Sequence, residues 1–344
     1  MLRRSISGKH FGKTVPGMKW SRNLNALGHG IRLATRIARA SLERPRIDPP
    51  PLDRPARIVE FEGFGDNPGR LRMLAHLPSS TQGRPLVVLL HGCGQDATRF
   101  ATDTGWLTQS DRLNVPLLLP EQAEANNAAR CFQWFMPAET TRGSGEAASI
   151  AAMTRAAIHR FGSDPGRVFV VGLSAGGAMA AAMLAAYPDL FAAGAAVAGL
   201  PVGAARSGMQ ALLRMASPGP EQSPDAWAAQ ARAAAPPNFT GPWPRLSVWQ
   251  GQADTTVAPE NGTLLTTQWR TLHGLPAAAL TEQVKDGVRH QMWPTARHPQ
   301  VELWSLPHMP HAYPVGDRVI PPGRYMAPAP IDATAAIARF FGLE

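Results

Sequence analysis

A serine flanked by two glycines lies at the junction of a predicted strand and a predicted helix. In RVFVVGLSAGGAMAAAML, residues 167–184, an apolar β-branched run leads through Gly-x-Ser-x-Gly into an alanine-rich segment. A strand that turns sharply into a helix projects the corner side chain, here Ser174, from the end of the sheet. The free N–H groups of that helix would stabilise negative charge beside it. The motif predicts acyl transfer with Ser174 as the nucleophile.

The same five residues could instead form an ordinary glycine-containing turn whose serine caps the helix. The surrounding sequence favours the catalytic interpretation, because the apolar run at 168–171 precedes the motif directly. An alanine-rich stretch of about twelve residues, a typical helix length, follows it.

A serine hydroxyl attacks an ester only when an imidazole takes its proton and a carboxylate holds that imidazole in one tautomer. In α/β-hydrolases, where this serine motif occurs, the chain order is nucleophile, acid, histidine. Asp254 follows the predicted strand RLSVWQG, and His311 follows the predicted strand VELWSLP. Both are therefore expected at the same rim of the sheet as Ser174. Asp225 and Asp286 are weaker candidates for the acid, because neither follows a buried strand on the correct side.

Other histidines compete for the role of the base. His308 also follows the last predicted strand, but the loop needs several residues before it can turn back over the nucleophile, which favours His311. His290 and His298 occur in a segment predicted to be a polar loop. The remaining alternative is that His311 is only a surface loop residue.

An acyl-transfer site also needs two backbone donors for the oxyanion. The residue after the nucleophile, Ala175, supplies one, and the loop after an earlier buried strand supplies the other. That loop is HGCGQ, residues 91–95, directly after PLVVLL. Gly92 and Gly94 let the main chain turn beneath a substrate, so the N–H of Cys93 is the expected second donor. An ordinary turn is the alternative for this loop.

The elements that position these residues alternate between strands and helices from residue 57 onward. This pattern predicts an α/β class protein with a mostly parallel sheet and helices on both faces. Residues 202–244 are rich in Ala, Pro, Ser and Gly and are a candidate lid insertion over the carboxyl ends of the strands. The predicted strands are RIVEFEGF and GRLRMLAHLP as an antiparallel pair, then PLVVLLHG, VPLLLPEQ, RVFVVGL, FAAGAAVAGLP, RLSVWQG and VELWSLP.

The net charge of +9 is concentrated at one end of the 344-residue chain. Residues 1–57 hold 13 Lys and Arg against 3 acidic residues, whereas the remaining residues hold 21 against 22. The sequence thus predicts a basic extension at 1–56, partly helical or disordered, ending in a proline-rich linker, and a catalytic domain at 57–344. Residues 24–42 of the extension have the pattern of a weak basic amphipathic helix. No nucleic-acid partner is expected; the arm could contact an anionic surface or a granule.

Several classes of protein are disfavoured by composition. No run of 18 apolar residues occurs, which argues against a transmembrane helix. No apolar run of the length found in a secretory signal occurs between Leu2 and Arg32. Two cysteines, Cys93 and Cys131, are too few for a disulfide-rich scaffold or a four-cysteine metal site. No metal or other cofactor is expected, and the sequence does not indicate an oligomeric state.

Several of these segments together resemble the esterase family of poly(3-hydroxybutyrate) depolymerases. The resemblance implies an α/β-hydrolase fold, a relation to feruloyl and acetylxylan esterases, and hydrolysis of short-chain hydroxyalkanoate esters or plant-wall esters. It also implies Ser174, Asp254 and His311 as nucleophile, acid and base. The segments, between about residues 70 and 315, are LLHGCGQ, PEQ, CFQWF, GEAASIAA, DPGRVFVVGLSAGGAMAAAMLAAYPDLFAAGAAVAGLP and HAYP.

The chain departs from that family at a few positions near the expected site. Pro310 stands where the family usually has glycine, Tyr313 where it has tryptophan, and Phe132 and Gln133 replace two residues of CWNWF. These changes leave the three catalytic candidates but alter the expected substrate preference. The chain ends at Glu344 directly after its last predicted helix, so we expect attack on soluble oligomers or small esters rather than on crystalline polymer.

In the architecture implied by the resemblance, Cys93 and Cys131 follow neighbouring strands, so a disulfide between them is feasible but not established by sequence. Such a bond would stiffen the donor loop and would imply an oxidising compartment. The resemblance indicates an extracellular location, whereas the missing signal pattern favours the cytoplasmic alternative.

Aromatic residues near the motifs could line a substrate pocket or could belong to the core. We predict Trp134 and Tyr313 as substrate-binding residues, with Phe132 and Phe135 as further candidates. The predicted function is a serine esterase that hydrolyses poly- or oligo-3-hydroxybutyrate-like esters through an acyl-enzyme. The alternatives are a carbohydrate esterase that releases ferulate or acetate, and a non-catalytic protein that binds polyester granules or surfaces.

Overall fold

The computed structural model of the protein describes residues 58–294, 299–317 and 323–344. The predicted basic extension at 1–56, including the amphipathic helix within it, lies outside these residues, as does His298. No helix in the described ranges combines the length and apolar character needed to cross a membrane.

One large sheet forms the centre of the described residues. Its strands lie in the order β1-β2-β4-β3-β5-β6-β7-β10-β9-β8, with a parallel block from β4 to β10 and antiparallel strands at both edges. The predicted mostly parallel sheet is confirmed. The strands are β1 (Ile58–Phe61), β2 (Arg72–His76), β3 (Leu86–Leu90), β4 (Leu117–Glu121), β5 (Val168–Leu173), β6 (Ala193–Val197), β7 (Arg245–Gly251), β8 (Thr281–Lys285), β9 (Val288–Trp293) and β10 (Val301–Leu306). A separate two-stranded parallel sheet pairs β11 (Tyr313–Pro314) with β12 (Met326–Ala327).

Helices cover both faces of the large sheet. Alternate residues of β3 show this arrangement, because Val88 belongs to the core beneath α4, α5, α7 and α8, whereas Val87 and Leu89 belong to the core beneath α1, α2 and α9. The helices are α1 (Ala97–Asp103), α2 (Trp106–Leu113), α3 (Pro137–Thr140), α4 (Gly145–Phe161), α5 (Ala175–Ala186), α6 (Gly208–Ala216), α7 (Pro224–Ala234), α8 (Glu260–Leu272) and α9 (Ala333–Phe341).

The helix that follows the serine is buried along its whole length. All twelve residues of α5 are buried, in keeping with its sequence of alanine, glycine, methionine and leucine, which provides no polar face. A helix that is apolar on every side is stable only when neighbours cover it on every side. The core therefore holds the corner residue Ser174 firmly in place.

The edge of the sheet beyond β10 differs from the sequence prediction. The segment predicted to be a polar loop forms the β8–β9 hairpin, and His290 lies within β9. The His290 ring stacks on Trp304 at 3.5 Å between centroids, and its Nε2 lies 2.7 Å from the buried Glu302 carboxylate. His290 is thus part of the packing between β9 and β10, and the prediction of a loop was wrong.

The candidate lid segment at 202–244 contains two helices with different surroundings. The α7 helix packs against α5 and α8 and buries Trp227, so it belongs to the helical layer. The α6 helix instead exposes an apolar face, with Met209, Leu212 and Leu213 each at least half exposed. Only the α6 part of the segment presents apolar side chains in this way.

Candidate active site

The corner between β5 and α5 holds Ser174 in an unusual backbone conformation. Its φ of 57° and ψ of −117° lie outside the regions that residues other than glycine favour. Two backbone hydrogen bonds hold this conformation: the Ser174 N–H donates to Val197 O at 2.8 Å, and the Ala178 N–H donates to Ser174 O at 2.9 Å. Strain of this kind persists only where the surroundings enforce it, and it is concentrated at functional sites.

The two glycines of the motif are required by close backbone contacts. A Cβ atom on Gly172 would lie 2.0 Å from Gly176 O, and one on Gly176 would lie 2.1 Å from Leu90 O. No side chain fits in either space. The start of α5 is therefore packed directly against the end of β3, from which the HGCGQ loop begins.

His311 lies between the serine and the predicted acid. Its Nδ1 is 2.8 Å from Asp254 Oδ2, and its Nε2 is 2.9 Å from Ser174 Oγ. An ionised carboxylate can only accept, so Nδ1–H donates to Asp254, and the lone pair on Nε2 faces the hydroxyl of Ser174. In this tautomer the imidazole can take the proton of the serine.

The carboxylate of Asp254 is completely buried and held at both oxygens. Its Oδ1 accepts hydrogen bonds from the N–H groups of Thr256 and Val257, each at 2.8 Å. Its Oδ2 receives His311 and lies 3.4 Å from Gln250 Nε2. Because these bonds fix the carboxylate, it orients the imidazole ring.

The loop after β10 reaches the acid by crossing the end of β7. The Gln252 N–H donates to Leu306 O at 2.9 Å, and the Ala253 N–H donates to Met309 O at 3.1 Å. A Cβ atom on Gly251 would lie 2.3 Å from Met309 O, so glycine is needed at this crossing. This contact brings His311 over the end of the sheet.

The competing candidates lie elsewhere. His308, two residues after the end of β10, has an exposed side chain. Asp225 is exposed in the first turn of α7, and Asp286 is exposed in the turn between β8 and β9. The structure therefore brings together Ser174 and His311 with Asp254, and not with these residues.

The two backbone N–H groups predicted to bind the oxyanion belong to Ala175, which follows the serine, and to Cys93, which follows Gly92; a Cβ atom on Gly92 would lie 3.4 Å from Leu173 O. Within the described ranges, the N–H groups of Cys93 and Ala175 have no acceptor in the protein. The neighbouring N–H groups are occupied, because Gly92 donates to Gln95 Oε1 at 2.8 Å and Gly94 donates to Ala129 O at 2.6 Å. The loop is thus held in place while two donors remain available.

A buried histidine supports this loop from below. His91 Nδ1 donates to Gly92 O at 2.9 Å, and His91 Nε2 accepts from the Gln122 N–H at 3.1 Å. Burial lowers the pKa of His91, so the ring stays neutral and one nitrogen can accept. Cys93 itself is joined to Cys131 by a disulfide, which establishes the bond that the sequence left open.

A buried glutamate that the sequence analysis missed lies below these loops. Glu146 accepts hydrogen bonds from the Gln133 N–H at 2.8 Å and from Gln122 Nε2 at 2.5 Å. Burial raises the pKa of Glu146 to about 7. It lies in the first turn of α4, in GEAAS, where no local pattern distinguishes a buried glutamate from an exposed one.

Two of the aromatic candidates lie near the serine. Trp134 and Phe135 are half-buried and meet edge to face, with ring centroids 5.6 Å apart. Trp134 lines a small pocket together with Ala178, one turn after Ser174 on α5. Phe132 is fully buried against the His91 ring, at 4.9 Å between centroids, and belongs to the core.

Tyr313 occupies the core and not a pocket. It is fully buried, and its hydroxyl forms hydrogen bonds with Trp106 Nε1 at 3.2 Å and Thr334 Oγ1 at 2.9 Å. The predicted contact of Tyr313 with substrate is therefore not supported. A different tyrosine, Tyr325, meets the His311 ring edge-on at 5.9 Å and was not identified from the sequence.

The profile of a protein family described as "Esterase PHB depolymerase" matches residues 73–291. The chain belongs to this family. It is a carboxylic ester hydrolase, and no group of three or more His, Cys, Asp or Glu side chains in its described ranges is arranged to hold a metal ion. The relatives of this esterase include proteins that act on different esters.

One relative is poly(3-hydroxyalkanoate) depolymerase C of Paucimonas lemoignei, which is 36% identical over 293 residues, covering 83% of this chain and 70% of that protein. Feruloyl esterase B of Talaromyces stipitatus is 33% identical over 227 residues, covering 64% of this chain and 62% of that protein. The structure of an acetyl xylan esterase from Aspergillus awamori aligns with a TM-score of 0.71 at 23% identity, covering 83% of this chain and 99% of the other. The α/β-hydrolase fold is thereby confirmed.

Proposed function

We propose that this esterase hydrolyses short-chain 3-hydroxyalkanoate esters through an acyl-enzyme formed on Ser174. The observation that carries the proposal is the pair of contacts made by His311, at 2.9 Å to Ser174 Oγ and 2.8 Å to Asp254 Oδ2. A hydroxyl, an imidazole and a buried carboxylate in this order form the arrangement that makes a serine nucleophilic.

The first half of the reaction acylates the serine. Ser174 Oγ attacks the carbonyl carbon of the ester while His311 Nε2 takes its proton, and Asp254 stabilises the resulting imidazolium. The carbonyl oxygen becomes an oxyanion and receives the two available N–H groups, those of Cys93 and Ala175. His311 then gives its proton to the departing alcohol as the bond between the acyl carbon and the alcohol oxygen breaks.

The second half releases the acid. A water molecule attacks the acyl carbon, and His311 takes one of its protons. The same two N–H groups bind the second oxyanion. His311 returns the proton to Ser174 Oγ as the acyl bond breaks, so the enzyme is restored and one water has been consumed.

The surroundings of the serine support a small, uncharged acyl group. The pocket beside Trp134 is small, and Ala178 and Ala182 of α5 line it together with Pro201. A short hydroxyalkanoyl unit suits such a space better than a long fatty acyl chain. The similarity to a depolymerase of poly(3-hydroxyalkanoates) supports the same substrate class.

The α6 helix forms an apolar border next to the loop that carries Trp134 and Phe135. This position supports the predicted role of residues 202–244 as a lid. A Cβ atom on Gly208 would lie 3.7 Å from the Phe135 ring, and Met215 O accepts from the Ala258 N–H at 2.7 Å. The α6 helix thus begins beside Phe135 and ends beside the loop after Asp254, and its exposed face is formed by Met209, Leu212 and Leu213. We propose that it contacts the uncharged repeat units of a longer polyester chain.

A second candidate is a carbohydrate esterase that releases ferulate. The similarity to feruloyl esterase B and the pair Trp134 and Phe135, which could stack on an aromatic acyl group, favour this candidate. It uses the same three residues and differs only in the acyl group accepted.

A substrate panel with the wild type and the S174A variant tests the proposal. The substrates are nitrophenyl esters of increasing acyl length, a 3-hydroxybutyrate dimer, methyl ferulate and acetylated xylan. We expect the highest kcat/KM on the short-chain and hydroxybutyrate esters, no turnover by S174A, and an acyl adduct on Ser174 in rapidly quenched samples by mass spectrometry. A preference for ferulate supports the second candidate, and absence of turnover on every ester supports the non-catalytic alternative.

A further inference from the structure

An arginine lies at the rim of the site, beside the loop that carries the Cys93 N–H. The side chain of Arg324 is exposed, and its Nη1 donates to Gly94 O at 3.3 Å. Its guanidinium lies over the Tyr325 ring at 4.8 Å, and its Nη2 donates to the Tyr325 hydroxyl at 3.0 Å. The cation therefore lies between the residue after Cys93 and the tyrosine that meets His311.

The main chain fixes this position. Gln95 Nε2 donates to Arg324 O at 2.9 Å, and the same glutamine accepts from the Gly92 N–H through its Oε1. The Tyr313 N–H donates to Tyr325 O at 2.7 Å. The Gln95 side chain thus links the main chain of Arg324 by hydrogen bonds to the loop that carries the Cys93 N–H.

The charge of Arg324 has no counter-ion in the protein as far as the described ranges extend. Both of its side-chain acceptors there, Gly94 O and the Tyr325 hydroxyl, are uncharged. A guanidinium carries five N–H donors in a planar fork, so several remain available for a carboxylate. Gly94 lets the guanidinium come this close to the loop, because a Cβ atom there would lie 2.6 Å from Arg324 Nη1.

We propose that Arg324 binds the free carboxylate of the departing hydroxyacid, so that the enzyme prefers the ester bond next to the carboxyl end of an oligomer. The inference rests on the proposed function. His311 must reach the departing oxygen in order to protonate it, so the alcohol part of the ester lies on the His311 side. The Tyr325 ring contacts the His311 ring, and the Arg324 guanidinium lies over that tyrosine.

The chemistry of a 3-hydroxyacid fits this arrangement. In a 3-hydroxybutyrate dimer, the ester oxygen and the free carboxylate of the departing unit are separated by two carbons. The carboxylate therefore has to lie close to His311, on its alcohol side. Hydrolysis adds one water, breaks the bond between the acyl carbon and the ester oxygen, and releases two hydroxyacids, the second of which was held by Arg324.

Two matched substrates test the inference. One is the linear 3-hydroxybutyrate dimer with its free carboxylate, and the other is the same dimer capped as a carboxamide, which lacks the charge but keeps the ester. The ratio of their kcat/KM values is measured for the wild type, R324Q, R324K and R112Q. Arg112 is an exposed arginine near Arg84 and Arg167 at the opposite end of the sheet, so R112Q removes one charge far from the site.

We expect the wild type to prefer the free carboxylate by about tenfold, mainly through KM, as is reasonable for a charge pair at a partly exposed site. R324Q abolishes the preference, R324K keeps part of it, and R112Q keeps all of it. Raising the NaCl concentration weakens the preference in the wild type because salt screens exposed charges.

Equal kcat/KM values of the wild type on both dimers, or a preference that survives in R324Q, overturn the inference and leave the proposed function intact. A wild type that hydrolyses neither dimer but remains active on other esters overturns both. The two failures are therefore distinguishable.

Discussion

Cys93 is bonded to Cys131, so the loop that offers an N–H to the oxyanion is covalently tied to the loop that carries Trp134. The N–H of Cys93 has no acceptor in the described ranges, whereas those of its neighbours Gly92 and Gly94 are hydrogen-bonded. The disulfide therefore couples the position of an expected catalytic donor to that of an expected pocket wall.

Breaking this disulfide should lower both activity and stability. The bond closes a loop with a sequence separation of 38 residues, so C131S should reduce the free energy of unfolding by about 4 kcal/mol. Because the N–H of Cys93 would bind the oxyanion only in the transition state, kcat should fall about tenfold with a smaller change in KM. Urea unfolding and steady-state kinetics measure the two effects. An unchanged kcat in folded C131S would show that the bond does not position the donor.

The role of the proposed acid, Asp254, can be tested with a substitution that keeps the size of the side chain. D254N should reduce kcat/KM by about 10³- to 10⁴-fold, because the amide no longer favours the tautomer in which His311 Nε2 is free to accept. H308Q, which changes an exposed neighbour of the base, should stay within about twofold of the wild type. A D254N enzyme with nearly full activity on nitrophenyl butyrate would be incompatible with the assigned acid.

Glu146 should make stability depend on pH. Its pKa is about 7 in the folded protein against a usual value of 4.5, so between these values the unfolded chain is ionised while the folded one remains protonated. Stability should therefore fall as pH rises from about 4.5 to 7, by on the order of 3 kcal/mol, and then level off.

The E146Q variant isolates this effect because it cannot ionise. The free energy of unfolding of E146Q minus that of the wild type should be larger at pH 8 than at pH 5. Urea unfolding of both proteins at both pH values measures this difference. The comparison between the two pH values cancels any constant loss from altered hydrogen bonds to Gln122 and Gln133. A difference between the two proteins that does not vary with pH would contradict the raised pKa.

The apolar face of α6 should matter for long substrates only. Replacing Leu212 and Leu213 with serine removes exposed side chains that stabilise little in the folded protein. Hydrolysis of long soluble 3-hydroxybutyrate oligomers should fall about tenfold, whereas hydrolysis of nitrophenyl butyrate should change little. V284S is the matched control, since Val284 is equally exposed but lies on the edge strand β8. Equal losses on both substrates would assign α6 to folding instead.

The central elements and the three proposed catalytic residues could be predicted from sequence because short-range constraints determine them. The strand at 168–173 and the glycines beside Ser174 enforce the corner through local backbone geometry. The chain order of this fold then places Asp254 and His311 after later strands. The predictions of Asp254 and His311 required only that the carboxyl ends of parallel strands lie at one edge of the sheet.

The features that the sequence analysis missed depend on packing between residues that are distant in the chain. Tyr313 was predicted to contact substrate, but Thr334 and Trp106, which are distant in sequence, supply buried partners for its hydroxyl. Tyr325 comes beside His311 through the pairing of β11 with β12, which no local pattern indicates. The β8–β9 hairpin did have a signal, because Asp286 and Gly287, with φ of 51° and 78°, form a two-residue turn of the Asp-Gly kind.

The tight packing around Gly172 and Gly176 restricts how this enzyme can acquire new specificities. A side chain at either position would displace the start of α5, and the proposed nucleophile Ser174 would then lose its alignment with the two proposed N–H donors. Substitutions that preserve turnover must therefore accumulate around the corner, in the loop that carries Trp134, in α6 and near Arg324. Variant libraries that aim at new ester substrates should randomise those three regions and leave Gly172, Ser174 and Gly176 unchanged.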